Sequence, residues 1–85
     1  MKVKLNSAWL KFNHACYKKL AAKERGGFAG WDKQENKELL EEDFMAHTKK
    51  PLTQSNLIDI SNYCNFLWNL IEDKKGVNNQ WPISR

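Results

Sequence analysis

Apolar residues near the start of the chain recur at spacings of three and four, as on one face of an α helix. This stripe predicts a first helix over residues 6–23, and it consists of Leu5, Trp9, Phe12, Cys16 and Leu20. Asn6 or Ser7 is expected to cap the start of the helix. Gly26 and Gly27 are expected to end it, because helix C-termini often need glycine.

The segment ERGGFAGWDK (residues 24–33) predicts a loop, because three of its residues are glycines. A second helix is expected over residues 34–48, with Asp32 or Asn36 as its cap. Its apolar content is small and predicts a surface helix with one narrow inward stripe, drawn from Leu39, Leu40, Phe44 and Met45. Lys49, Lys50 and Pro51 should end it, since proline disfavours helix at the preceding residue.

A third helix is predicted from Thr53 or Ser55 to about Asp73, and it carries the widest apolar surface of the chain. Projected at 100° per residue, its apolar residues cover an arc of about 200°. They are Leu57, Ile60, Tyr63, Cys64, Phe66, Leu67, Trp68, Leu70 and Ile71. A surface helix needs about half that width. We therefore expect this helix to be buried on more than one side, and to meet a second subunit.

These elements predict an all-α fold, a small three-helix protein over residues 1–75 that forms a homo-oligomer. Residues 76–85 are expected to be an irregular tail. The 85 residues contain no apolar run long enough for a membrane span and no signal-peptide core, so a cytoplasmic location is expected. Both cysteines, Cys16 and Cys64, are expected to be reduced and to lie in the core. The aromatic residues Trp9, Phe12 and Trp68 are also expected in the core.

Charge is distributed unevenly around a net value of +4. Residues 1–25 hold seven lysines and arginines against one acid, whereas residues 26–50 hold six acids against four lysines. Opposed charges of this kind are usually solvated faces, but they can attract each other. A more specific interpretation is that the basic residues form a binding site for an anion. No nucleic-acid motif is present, so nucleic acid is not an expected partner.

Polar residues interrupt the apolar arc of the third helix. Asn56 and Asp59 project into the arc, and Asn62 lies at its border. A buried carboxylate needs a hydrogen-bond donor, a cation or water. Asp59 is therefore expected either to fix the packing or to contact a ligand.

Several segments of the chain together resemble a known family. These segments are Arg25-Gly26-Gly27-Phe28, Gly30-Trp31-Asp32, Leu39-Leu40, His47, the run from Leu57 to Cys64, and Phe66-Leu67-Trp68. Over residues 24–70 the chain resembles a phage and prophage family, the N-terminal part of dATP/dGTP diphosphohydrolase-like proteins in the MazG-like neighbourhood. The resemblance implies an all-α fold and nucleotide chemistry.

MazG-like pyrophosphohydrolases hold Mg²⁺ with acidic pairs on two helices, and the resemblance implies where these pairs would fall. Glu38 and Glu41 match the first pair. The second pair would be Asn56 and Asp59, with asparagine in place of glutamate. Because an asparagine ligand carries no charge, such a site would bind Mg²⁺ more weakly. We therefore expect the chain not to be a complete hydrolase.

The favoured hypothesis is a small phage-type protein that binds a nucleotide or a nucleotide-derived signal, and in a phage could sequester a signal of host defence. Glycine N–H groups and cations would hold phosphate, aromatic rings would stack on a base, and Asp59 or Asn62 would bond its edge or ribose. The candidate residues are Lys23, Arg25, Gly26, Gly27, Phe28, Trp31, Asn56, Asp59, Asn62 and Tyr63.

Two alternatives stay open. One is a Mg²⁺-dependent nucleoside triphosphate pyrophosphohydrolase, with Glu38, Glu41 and Asp59 as metal ligands. The other is a protein-interaction module that inhibits a host protein through the apolar arc of the third helix. The candidate histidine, His47, is expected to satisfy a helix end rather than to act in catalysis.

Overall fold

The computed structural model describes residues 3–75, and in them the chain forms three α helices and no strand. The helices are α1 (Val3–Arg25), α2 (Lys37–Thr48) and α3 (Gln54–Lys75). A short 3₁₀ turn, Gln34–Asn36, leads into α2. The all-α, three-helix prediction is confirmed. The predicted tail at residues 76–85 lies outside the described residues.

The ends of the helices agree in part with the predicted signals. Thr53 caps α3 as expected, because its Oγ1 accepts the Asn56 backbone N–H at 3.0 Å. The caps predicted at Asn6 or Ser7 are wrong, since α1 begins at Val3 and includes both residues.

The predicted side-chain cap of α2 is also wrong. Asn36 stands at the N-cap position but makes no side-chain cap hydrogen bond. Its Nδ2 donates instead to the Gly30 carbonyl at 2.9 Å, which ties the glycine loop to the start of α2. Asp32 lies in the loop before the 3₁₀ turn, whose own N-cap position is held by Lys33.

α3 is the central element, because α1 and α2 each pack against it and make few contacts with each other. Its buried apolar residues are Tyr63, Phe66 and Leu70, which with Leu40 of α2 form the core. Five partly buried residues pack around this core: Leu20, Phe28, Trp31, Phe44 and Leu67. The side chain of Gln34 also reaches α3, where its Nε2 donates to the Leu70 carbonyl at 2.6 Å.

Within the described residues, only one side of the α3 arc is buried. Leu57, Trp68 and Ile71 remain 42%, 54% and 44% exposed, and Cys64 is exposed as well. The predicted core position is confirmed for Cys16, which is buried. The prediction is wrong for Cys64, which is exposed in the single chain. It is also wrong for Trp68.

The N-terminal half of α1 shows the same exposure. Trp9 is 51% exposed and Phe12 is 38% exposed, although helical periodicity predicts both as core residues. Among the described residues, Cys16 is the one buried residue of α1, and the turns before it remain exposed. Within residues 3–75, no helix is long and apolar enough to cross a membrane.

Gly30 should be sensitive to substitution. Its φ is +87°, and a Cβ built there would lie 2.9 Å from Asn36 Nδ2. Gly30→Ala is therefore expected to lower the free energy of unfolding by about 1–3 kcal/mol, measured by urea denaturation.

Gly26→Ala is the matched control, because the nearest atom to its added Cβ is 3.4 Å away and its φ is not positive. This variant should change stability by no more than about 0.5 kcal/mol. Equal losses in both variants would contradict the loop conformation.

Candidate functional site

Four aromatic rings gather where the glycine loop meets α3. Phe66, only 2% exposed, lies at their centre. Phe28 and Trp31 stack on it at centroid distances of 5.6 and 5.5 Å, and Tyr63 meets it edge-on at 5.9 Å. Such stacked and edge-on pairs stabilise beyond the area they bury. Three predicted ligand residues thus come together, and each already contacts Phe66.

A cleft of about 210 Å³ opens beside these rings. Its walls come from α1 and from the glycine loop, and its floor is α3. The lining residues are Tyr17, Leu20, Ala21, Glu24, Phe28, Trp31, Asn65 and Phe66. We call this space the aromatic cleft. It combines flat apolar walls with one carboxylate and one amide, which is a composition typical of small-molecule sites.

The C-terminal end of α1 brings positive charge to the rings. Lys23 Nζ lies 5.1 Å from the Phe28 ring centroid and 5.9 Å from that of Tyr63. Both distances are within the range of a cation–π interaction. Arg25, at the last position of α1, is exposed. Two of the predicted cations therefore lie at the same end of α1 as the aromatic cleft.

The predicted phosphate role of Gly26 and Gly27 does not suit their surroundings. The Gly26 N–H donates to the carbonyls of Ala22 and Lys23, both at 3.1 Å, and the Gly27 N–H donates to Glu24 at 3.0 Å. These bonds close the C-terminal end of α1, where the helix dipole is negative. Both N–H groups are occupied, and the local field opposes an anion.

Asp59 forms an ion pair across the groove between α1 and α3. Its Oδ1 lies 2.7 Å from Lys19 Nζ, and its side chain is only 15% exposed. The contact is not aligned as a hydrogen bond, and no described residue donates one to this oxygen. Lys19 also donates to Ser55 Oγ at 3.3 Å. Asp59 therefore obtains the cation that the sequence analysis required for it.

Tyr63 lies between two carboxylates. Burial raises the pKa of its hydroxyl above the ordinary value of 10.0. The negative charges of Asp43 and Asp59 raise this pKa further, as does the hydrogen bond that the hydroxyl donates to Asp43. The tyrosine is therefore held in its neutral form, as a hydrogen-bond donor.

Asn56 and His47 form a structural clasp between the end of α2 and the start of α3. Asn56 Nδ2 donates to the backbone carbonyls of His47 and Pro51 at 2.8 and 3.3 Å. Its Oδ1 therefore faces His47 Nδ1, 2.8 Å away, and accepts the proton of that nitrogen. The His47 ring thus bonds to Asn56 and not to a carbonyl of α2, so the predicted role of this side chain at the helix end is wrong. Asn56 satisfies the His47 carbonyl instead.

Asn62 also makes a bond within the fold. It is 5% exposed, and its Nδ2 donates to the Cys16 carbonyl at 3.3 Å. Its amide group is therefore already used in holding α1 against α3. The amide nitrogens of Asn56 and Asn62 are thus both bonded to carbonyl groups of the protein itself.

The residues suggested as Mg²⁺ ligands are separated in the structure. Glu38 and Glu41 line a shallow depression on α2, whereas Asp59 lines another beside His47. Within residues 3–75, no three acidic, histidine or cysteine side chains are close enough to share a metal ion. The three carboxylates therefore do not fit a common magnesium site.

Of the residues that line the aromatic cleft, sequence reasoning assigned only Phe28 and Trp31 to a site. It missed Tyr17, Leu20, Ala21, Glu24, Asn65 and Phe66. Phe66 is interpreted from periodicity as core, which is correct, but its ring also forms part of the floor of the cleft. Glu24 carries a detectable signal as the one acid among the basic residues of α1. Tyr17, which is 68% exposed, lies off the apolar stripe of α1 and carries no comparable signal.

Comparison with protein-family models, with curated proteins and with solved structures finds no match to this chain. The resemblance to the diphosphohydrolase-like family therefore stays a prediction.

The raised pKa of Tyr63 predicts a pH effect on stability. Below about pH 10 the tyrosine is neutral in both states, and its contribution is complete. Above that pH the unfolded chain loses the proton first, so the free energy of unfolding should fall. Urea denaturation at about pH 9 and about pH 11 measures this fall.

Tyr63→Phe supplies the comparison, because phenylalanine cannot ionise. Its free energy of unfolding should fall less between the two pH values than that of the natural protein. Lysine titration affects both proteins equally, so the difference between them reports on Tyr63. An equal fall in both would contradict the assignment.

Proposed function

We propose that this protein binds a nucleotide-type ligand in the aromatic cleft and that it does not hydrolyse it. The observation that carries the proposal is the cleft itself, with Phe28 and Trp31 beside it and the cations of α1 next to it. The proposal keeps the ligand class that the sequence analysis favours. It moves the ligand from the glycine N–H groups to the side chains of α1 and the loop.

The size of the aromatic cleft indicates which part of the ligand enters. Its volume of about 210 Å³ is below the roughly 300–1,000 Å³ of sites that enclose a drug-sized molecule. A base fits, and the sugar and phosphates would remain outside. Phosphates would then be held by the exposed cation Arg25, and by Lys23 if its side chain turns away from the rings.

Two polar groups would bind the edge of the base. The Glu24 carboxylate accepts hydrogen bonds from ring or exocyclic N–H groups. The Asn65 Oδ1 already accepts a bond from Asn69 Nδ2 at 3.0 Å, so its own amide nitrogen is the group left to donate. Glu24 and Asn65 together therefore suit a base that presents a hydrogen-bond donor next to a hydrogen-bond acceptor.

Binding is favoured over hydrolysis because of the carboxylate positions. A magnesium pyrophosphohydrolase needs several carboxylates on facing helices. Here Glu38 and Glu41 lie on another surface, and Asp59 already faces Lys19. Sequestration of a nucleotide signal in a phage setting follows only if the predicted kinship holds.

Nucleotide binding can be tested by titrating the protein with ATP, GTP and a cyclic dinucleotide, with and without Mg²⁺. Tyr17→Ala should weaken binding about tenfold or more, because stacking on a base contributes roughly 1–3 kcal/mol. Arg25→Gln should weaken binding of a triphosphate but not of the nucleoside. Met45→Ala is the control, since Met45 is exposed on α2 away from the cleft.

Absence of binding, or equal affinity of Tyr17→Ala and the natural protein, would contradict this site. Pyrophosphate release that requires Mg²⁺ would instead support the hydrolase hypothesis.

We further propose that a second copy covers the exposed apolar face of α1 and α3. Trp9, Cys64 and Trp68 line one groove between these helices, and Phe12 and Leu57 line another. Exposed apolar surface of this extent is typical of interaction sites. A homo-oligomer would bury the side of α3 that its own chain leaves open.

The assembly can be tested by size-exclusion chromatography with light scattering. The natural protein should elute as a multiple of 10.0 kDa, and Trp68→Glu should shift it to the monomer mass. Leu39→Glu is the matched control, because Leu39 is 60% exposed on α2 and should leave the mass unchanged. A natural protein that is already monomeric would instead favour the interaction-module hypothesis.

A further inference from the structure

A straight row of cations follows the solvent side of α1. Lys4, Lys11, Lys18 and Arg25 are spaced seven residues apart, and all four are exposed. Seven residues are nearly two helical turns, so the four side chains lie within an arc of about 60°. They are about 10 Å apart and extend along about 31 Å of the helix. We call them the basic row.

The basic row points away from the core. On the same projection, the buried residue Cys16 and the partly buried Leu20 lie on the opposite side of α1. The row is therefore separate from the face that meets α3. It is also separate from the acidic residues of α2, since α1 and α2 make few contacts with each other.

The composition around the basic row is unusual for a merely solvated helix face. Positions three and four residues from each cation within α1 hold only small residues and one histidine: Ser7, Ala8, His14, Ala15, Ala21 and Ala22. Acids at such positions would form intrahelical pairs. None is present there, and no carboxylate of the described residues lies within 4.0 Å of the four cations. The small neighbours also allow close approach to the helix.

We propose that the basic row binds the phosphate backbone of double-stranded nucleic acid without sequence preference. A duplex carries one negative charge per about 1.7 Å of its axis, so each cation finds a phosphate within reach. Binding releases condensed counterions, and this supplies affinity without apolar contact. The sequence contains no recognition motif, and backbone binding requires none.

The same composition disfavours the other polyanions. An anionic membrane would need apolar side chains that insert between lipids. The positions of α1 three and four residues from each cation hold no apolar residue larger than alanine, and the exposed Val3 and Leu10 flank the row on one side only. An acidic protein surface would form only exposed ion pairs, each contributing about 0–1 kcal/mol. A dense phosphate polymer is the partner that fits this face.

The test measures fluorescence anisotropy of a mixed-sequence 30-base-pair DNA over a range of salt concentrations. Four phosphate contacts predict a slope of log K against log[salt] of about −3.6, or a roughly 150-fold loss of affinity between 50 and 200 mM salt. The triple variant K4Q/K11Q/K18Q should reduce the slope to about −0.9. It retains Arg25, so the triphosphate test of the aromatic cleft stays independent.

The matched control is K33Q/K49Q/K50Q, which removes three exposed lysines outside α1. Both variants lower the net charge from +4 to +1. The control should keep the slope of the natural protein, and far-ultraviolet circular dichroism should show that both variants remain helical.

Three results would overturn the proposal. One is absence of DNA binding at low salt, and another is an equal loss of binding in both triple variants, which would reflect net charge alone. The third is tighter binding of polyglutamate or of phosphatidylserine vesicles than of DNA, which would assign the row to a different class of partner.

Discussion

The packing of rings around Phe66 is the interaction on which the rest of the structure depends. α1 and α2 have little contact with each other, so the loop between them is positioned through α3. Phe28 and Trp31 provide that link, because both stack on Phe66. The aromatic cleft exists because the loop is held against α3 while Tyr17 and Glu24 of α1 stand on the far side.

A small core also explains why polar side chains take structural roles. With few apolar contacts available, the helices are joined by Asn56, by Asn62 and by the ion pair of Lys19 with Asp59. Opposite charges do attract as the sequence suggests, but the partner of Lys19 lies on α3 and not in the acidic segment. These bonds fix the angles at which α1 and α2 meet α3.

Periodicity and end signals predict the helices well. The 3.6-residue pattern, the glycines after α1, Pro51 after α2 and the cap at Thr53 are local features, and the structure follows them. Sequence-based prediction fails for features that depend on contacts between distant parts of the chain. Periodicity shows which face of a helix is apolar, but not whether other parts of the fold cover that face. In the described residues Trp68 and Cys64 are exposed for this reason.

The candidate site could be predicted only in part for a related reason. Aromatic residues can be recognised as candidates from the residue type alone, and Phe28, Trp31 and Tyr63 do pack together on Phe66. Amide and N–H groups depend on which carbonyls lie nearby, and the sequence does not show that. Asn56 and Asn62 therefore have the right chemistry for a ligand but bond to the backbone of the protein itself.

The account holds that one side of α3 is buried within the chain and that a second copy covers the other side. The most direct test of this claim is the reactivity of the two cysteines. Native protein is alkylated at low and at high concentration, and the modified positions are read by mass spectrometry. The account predicts that Cys16 stays protected throughout, and that Cys64 reacts rapidly in dilute protein but slowly once copies assemble over it. A Cys64 rate that does not depend on concentration, or a Cys16 rate that matches it, would contradict the account.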